Sequence, residues 1–223
     1  ALSSHTLRMK SLHLSRQPVV VRVIWAFLLI ALVAALVQGR WSLAFVSVVT
    51  IGVSLLPILF EQRFGFRLPV SFFTGIVLFG FATILLGEAF DFYERYWWWD
   101  VLLHGGSAIG FGLIGFVFAF MLFQGDRYAA PAWAVSFLAF CFALSMGTMW
   151  EIFEFGMDQI FGMNMQKSGL LDTMWDLIVD TIGAAIGALA GFFFLKGREF
   201  GGLSAMIRET VKKNRRFFRR MPR

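Results

Sequence analysis

Residues 148–187 read TMWEIFEFGMDQIFGMNMQKSGLLDTMWDLIVDTIGAAIG, two apolar helical patterns joined by a Met- and Gly-rich turn, and six carboxylates punctuate them. Glu151, Glu154 and Asp158 fall at i, i+3 and i+7, while Asp172, Asp176 and Asp180 fall at i, i+4 and i+8. Each trio therefore lines one face of a helix, and the two acidic stripes are expected to face each other. With the rise of an α-helix, Asp180 lies about 12 Å along the axis from Asp172. If Asp172 marks a membrane surface, Asp180 sits well inside the hydrocarbon, where an ionisable side chain is a functional-site hypothesis by default.

The rest of the chain supplies that membrane. Its 223 residues are 58% hydrophobic and 15% charged, against about 25% charged in soluble domains, and the mean hydropathy is +0.72. Phe outnumbers Tyr 28 to 3, as expected where an aromatic ring has no polar partner to find. The expected fold is all-α: a polytopic membrane protein with six transmembrane helices. The net charge of +6 is explained by a positive-inside bias, so no nucleic acid is expected as a partner. The single cysteine, Cys141, lies in an apolar helix and excludes an intrachain disulfide; a small buried hydrophobe is its simplest reading.

Three segments follow from this pattern. Residues 1–18 form a basic tail with Arg8, Lys10 and Arg16, and with His5 and His13 solvated. Residues 19–195 form the membrane domain, with spans expected at 19–37, 42–60, 68–86, 101–123, 133–150 (continuing as helix through Phe155) and 174–195. The first span is too long for a signal-peptide core and reads as a retained anchor, while Pro57 is expected to kink or end the second. Residues 196–223 form a basic tail in which Leu203, Met206, Ile207, Val211, Phe218 and Met221 approximate one helical face. That pattern predicts an interfacial amphipathic helix on anionic lipid, or one docked on an acidic partner.

Of the 20 Lys and Arg, only Arg40, Arg95 and Lys167 fall in the connections after spans one, three and five. Both termini are therefore expected in the cytoplasm. The acids behave oppositely, ten of 14 lying on the outer side. There the connection GEAFDFYERYWWWD, residues 87–100, combines carboxylates with a Tyr and Trp cluster of the kind that marks the headgroup region.

Three helices enter that rim with a tryptophan followed by an acid: Trp99 and Asp100, Trp150 and Glu151, Trp175 and Asp176. One turn on along each helix stand His104, Glu154 and Asp180. Two carboxylates about 6 Å apart repel by roughly 3 kcal/mol at an effective dielectric near 20. So many acids need protons, a divalent cation or a basic partner. Oxygen-rich ligands with one imidazole favour Mg²⁺, Ca²⁺ or Mn²⁺, and the candidate ligands are Asp100, His104, Glu151, Glu154, Asp172, Asp176 and Asp180. His104, Asp100, Glu151 and Asp176 are the candidate catalytic groups. No HExxH, CxxC, GxSxG or P-loop is present, which removes the commonest motif-bearing enzyme classes.

The Asp100-x-x-x-His104 helix start, Trp150-Glu151-x-x-Glu154, Gln166, Asp172-Thr173-x-Trp175-Asp176 and the Gly183-Ala184 packing face together resemble the YjdF-like bacterial inner-membrane proteins. More distantly they resemble the VanZ-like membrane proteins linked to glycopeptide resistance. The resemblance covers about residues 97–190 and implies a multi-pass protein of the bacterial inner membrane; it transfers a site and no reaction. Three functions are open at this level. One is metal-dependent chemistry on a lipid or lipid-linked headgroup. Another is a non-catalytic subunit of a larger membrane complex, using the glycine faces (Gly183, Gly187, Gly191) and the basic tail. The third is a proton- or cation-coupled carrier with Asp180 and His104 as its relay.

Overall fold

The computed structural model describes residues 18–220. The expected N-terminal tail, with its bases and histidines, and Met221 lie outside them. Six helices are long and apolar enough to cross a membrane. They are α1 (Val19–Val37), α2 (Trp41–Phe64), α3 (Val70–Gly80, continuing as a π-helix over Phe81–Ala89), α5 (Trp97–Leu122), α6 (Ala132–Phe161) and α7 (Leu170–Leu195). A short α4 (Phe92–Arg95) precedes α5, and α8 (Gly201–Lys213) follows α7. The protein is an all-α polytopic membrane protein, and an even number of crossings puts α1's start and α8 at the same end.

Several helices outrun the hydropathy pattern. Pro57 neither ends nor replaces α2, which runs seven residues further to a left-handed Gly65 that caps it on Glu61 O; an interior proline is tolerated where neighbouring helices enclose the freed carbonyl. α6 runs to Phe161, and α7 begins at Leu170 rather than 174. Both extensions are polar enough to escape a hydropathy window, yet each continues the helical hydrogen bonding.

The helices sort into two groups. α1, α2 and α3 enclose Val21, Ile24, Leu28, Phe73, Val77 and Leu85. The buried face of α2 is small, with Ala44, Ser47, Thr50, Ser54 and Pro57, and Ser54 Oγ accepts the Trp25 indole N–H at 2.8 Å. α5, α6 and α7 form the second group, in which glycines replace side chains. A Cβ on Gly187 would stand 2.6 Å from Ile109 O and 2.9 Å from Gly112 Cα, and one on Gly183 2.7 Å from Gly105 O. The doubled GxxxG face of α7 is thus spent on α5, backbone against backbone.

The C-terminal helix departs from the expected lipid-bound arrangement. Ile207, Val211 and Phe218 are buried in one core with Phe116, Phe120 and Phe194, so its apolar face meets the bundle instead of acyl chains. Asn214, 2% exposed, then ties this end together. Its Oδ1 accepts Arg67 N–H at 2.6 Å, and its Nδ2 donates to Arg67 O and to Thr210 O, each at 2.7 Å. Arg216 donates to Phe64 O at 2.8 Å and the Arg220 N–H to Gln124 O at 2.9 Å, fastening the α2–α3 and α5–α6 connections.

Candidate functional site

The acidic end of α5, α6 and α7 holds the site. His104 projects from α5 about 10 Å inside that helix's start, Asp176 and Asp180 from α7 about 9 and 15 Å inside its start, and Glu151 from α6 about 15 Å before its end. All four are buried: His104 is 8% exposed, Glu151 3%, Asp176 4% and Asp180 1%. His104 is the hub. Its Nδ1 lies 3.3 Å from Asp180 Oδ1, while its Nε2 lies 3.8 Å from Asp100 Oδ1 and 3.9 Å from Glu151 Oε1.

The ring therefore faces a carboxylate on the deep side and two on the outer side. One atom each of Asp100, His104 and Asp176 lie within 4.8 Å of one another, a spacing that suits donors sharing one oxygen-ligated cation. Asp100 is the partly exposed member and marks the mouth. Neither oxygen of Glu151 nor of Asp180 has an aligned hydrogen-bond donor. A buried carboxylate without donors costs several kcal/mol unless a proton or a cation compensates it.

Local sequence explains much of this placement. Gly147 stands one turn before Glu151 on the same face of α6, and a Cβ there would run into the Asp180 carboxylate. The bare backbone is what lets Asp180 approach. Below the cluster the three helices close over Leu113, Phe116, Phe120, Ala188, Ala190 and Phe194. The cluster is therefore closed off on the side away from the acidic end.

The other expected residues stand apart from this group. Glu154 is half-buried one turn outward and accepts the Trp150 indole N–H at 2.9 Å. Asp172 is half-buried at the rim, in charge range of Asp100 and Asp176. Asp158 leaves the stripe altogether: its two oxygens accept the Met165 and Gln166 N–H groups at 2.7 and 2.9 Å. That clasp, with Gln166 Nε2 donating to Thr173 Oγ1 at 2.6 Å, folds the α6–α7 connection back onto the bundle.

The few bases at this end are engaged elsewhere. Arg95 pairs with Asp91 at 3.7 Å, and both are largely exposed. Lys167 pairs with Glu94 at 3.5 Å, donates to Tyr93 O at 2.6 Å and lies over the Tyr93 ring. No arginine or lysine is in ion-pair contact with the buried carboxylates among the described residues. Sequence spacing gave no sign of Tyr93, which comes from α4, or of Thr173 beside Glu151. Gly147 was legible as a glycine one turn from an acid.

Residues 20–197 match the family described as "Predicted membrane protein (DUF2238)". The chain belongs to that family. A protein of Thermotoga maritima described as "Uncharacterized protein" is 33% identical over 103 residues. That match takes in 46% of this chain and 52% of the relative, so the chain spans about half the relative's length. No solved structure matches the chain.

Proposed function

We propose that this chain is a bacterial inner-membrane enzyme that binds a divalent cation (Mg²⁺, Ca²⁺ or Mn²⁺) and acts on a lipid or lipid-linked headgroup at the outer leaflet. Asp100, His104 and Asp176 hold the cation through one carboxylate oxygen, His104 Nε2 and a second carboxylate oxygen. Asp180, facing Nδ1, orients the imidazole, as carboxylates behind metal-bound histidines do. Glu151, 3.9 Å from Nε2, is placed to take a proton from an attacking water or hydroxyl. A cation held there would supply Lewis-acid polarisation of a headgroup oxygen, which makes metal-assisted hydrolysis or transfer the reaction class. Glu154 and Asp172 add negative charge at the rim. The observation that carries the reading is the set of four buried carboxylate oxygens on Glu151 and Asp180 that lack an aligned hydrogen bond, beside a group with ligand spacing.

A non-catalytic subunit would need a face for its partner. The surfaces expected to serve, the α7 glycine face and the apolar side of α8, are covered by α5 and by the bundle core. A carrier would need a polar route onward from Asp180, and the phenylalanine core fills that position. The likeness to VanZ-like proteins is compatible with headgroup chemistry and is not needed for it.

Elemental analysis of the full chain, purified in mild detergent, tests the reading. About one divalent ion per chain is expected in the wild type, and at least a tenfold weaker affinity in Asp176→Asn and His104→Ala. Metal content near zero in all three would remove the cation from the proposal.

A further inference from the structure

The cluster is built by α5, α6 and α7, and the short α4, between the end of α3 and the start of α5, stands near its mouth. Tyr93 of α4 packs there with Ala82, Trp99 and Leu103. The chain enters α4 through Asp91, which adopts a left-handed conformation at φ 57°, directly after the π-helical end of α3. π-Helical turns occur frequently at functional sites. Gly87, in that π-helix, lies flat against the Tyr93 ring, and any side chain there would collide with it. The ring also carries Lys167 Nζ, 5.2 Å from the centroid, and the same ammonium bonds Tyr93 O. A glycine, a left-handed residue and a lysine from a distant loop thus fix one phenol.

The phenol stands in the field of Asp100, Glu88 and Glu154, one carboxylate from each of three helices. Burial, then those charges, push its pKa well above the usual tyrosine value, so it keeps its proton. Its hydroxyl makes no hydrogen bond among the described residues, whereas the serines and threonines of the membrane helices largely bond a carbonyl of their own helix. The side chains within ion-pair reach of His104 are the carboxylates of Asp100, Glu151 and Asp180, which when ionised cannot donate to an anionic substrate oxygen. A site for an anionic headgroup needs a neutral donor on one side of the cation.

We propose that the Tyr93 hydroxyl is that donor, a substrate-binding residue that holds a phosphoryl oxygen of the ligand beside the cation. This rests on the cation reading above and names its substrate class: a phosphate ester, presented by a phospholipid or as free phosphate. Lys167, with one N–H left beyond Tyr93 O and Glu94, adds a positive charge beside it. Tyrosine suits the position because its apolar ring packs at the membrane boundary while its hydroxyl donates.

The test titrates the detergent-solubilised full chain, with and without Mn²⁺, with dihexanoyl phosphatidylglycerol and separately with inorganic phosphate, following heat or thermal stabilisation. Tyr93→Phe keeps the ring, its contact with Gly87 and the Lys167 stacking. It should bind the phosphate-bearing probe about tenfold more weakly, as loss of one hydrogen bond to a charged group predicts, with unchanged Mn²⁺ content and ligand-free melting temperature. Gly87→Ala, which crowds the ring from behind, should weaken the same binding. Binding of the lipid alone would identify a phospholipid as the source, and binding of phosphate alone the free anion. Equal affinities in wild type and Tyr93→Phe, or a wild type that binds neither probe, would overturn the proposal. A wild type that binds the probe equally with and without Mn²⁺ would sink the cation reading instead, leaving the Tyr93 comparison to stand on its own result.

Discussion

The two groups of helices are both apolar enough to cross a membrane, α1 to α3 more so than α5 to α7, and they are held together differently. α1 to α3 meet through a small-residue face and bulky aliphatic side chains, and their buried polar groups are hydroxyls satisfied by their own helix or by Trp25. α5 to α7 meet through glycines at backbone contact and bury His104, Glu151, Asp176 and Asp180. In lipid, helix association gains little from hydrophobicity and much from close packing. The difference teaches that the tight group supplies the stability needed to bury charge, while the looser group needs only to span and to deliver α4.

The sharpest way to break this comparison is to put the same side chain into both groups. Gly187→Leu would drive into Ile109 O and Gly112 and is expected to cost about 3 kcal/mol or more, or to prevent folding. Gly52 has nothing within 4 Å of its missing Cβ, so Gly52→Leu on the lipid-facing side of α2 should stay within about 0.5 kcal/mol of wild type. Thermal unfolding in detergent compares them, and equal losses would show that the glycine contacts are not what distinguishes the groups.

A smaller effect separates charge from packing within the tight group. Asp180→Asn preserves shape against Gly147 but removes the charge facing His104 Nδ1. Cation affinity should fall about 10- to 100-fold while the melting temperature holds or rises, since a buried uncompensated carboxylate is costly. An Mn²⁺ titration with unchanged affinity would remove Asp180 from the site. The smallest expected change lies in the loose group: Ser54→Ala leaves the Trp25 indole without its acceptor and should cost about 1 kcal/mol, with no effect on metal content. Any loss of metal there would mean that the two groups are coupled more tightly than their separate cores imply.

Much of this was legible in the sequence, and the exceptions share a cause. The six spans, the tryptophan and acid at each helix entrance, and the depth of Asp180 follow from hydropathy and helical rise. Pro57 does not end α2, which runs on to Phe64, because burial among neighbouring helices, invisible in hydropathy, tolerates it. Asp158 belongs to the acidic stripe by spacing, yet two free N–H groups of the following loop claim its carboxylate. The basic tail reads as a lipid-bound helix by its pattern, and only the position of Phe116, Phe120 and Phe194 shows that a protein surface takes its apolar face.

What the sequence alone determined is that the described residues carry six helices long and apolar enough to cross a membrane, and where along each helix its ionisable groups fall, because both depend on residues near in the chain. Which carboxylates surround His104, and that Tyr93 of α4 stands in charge range of Asp100 and Glu154, only the tertiary structure decided. The rotation of each helix is set where backbone meets backbone at Gly105, Gly112, Gly183 and Gly187, and those contacts join residues some 75 positions apart in the chain that no local pattern relates.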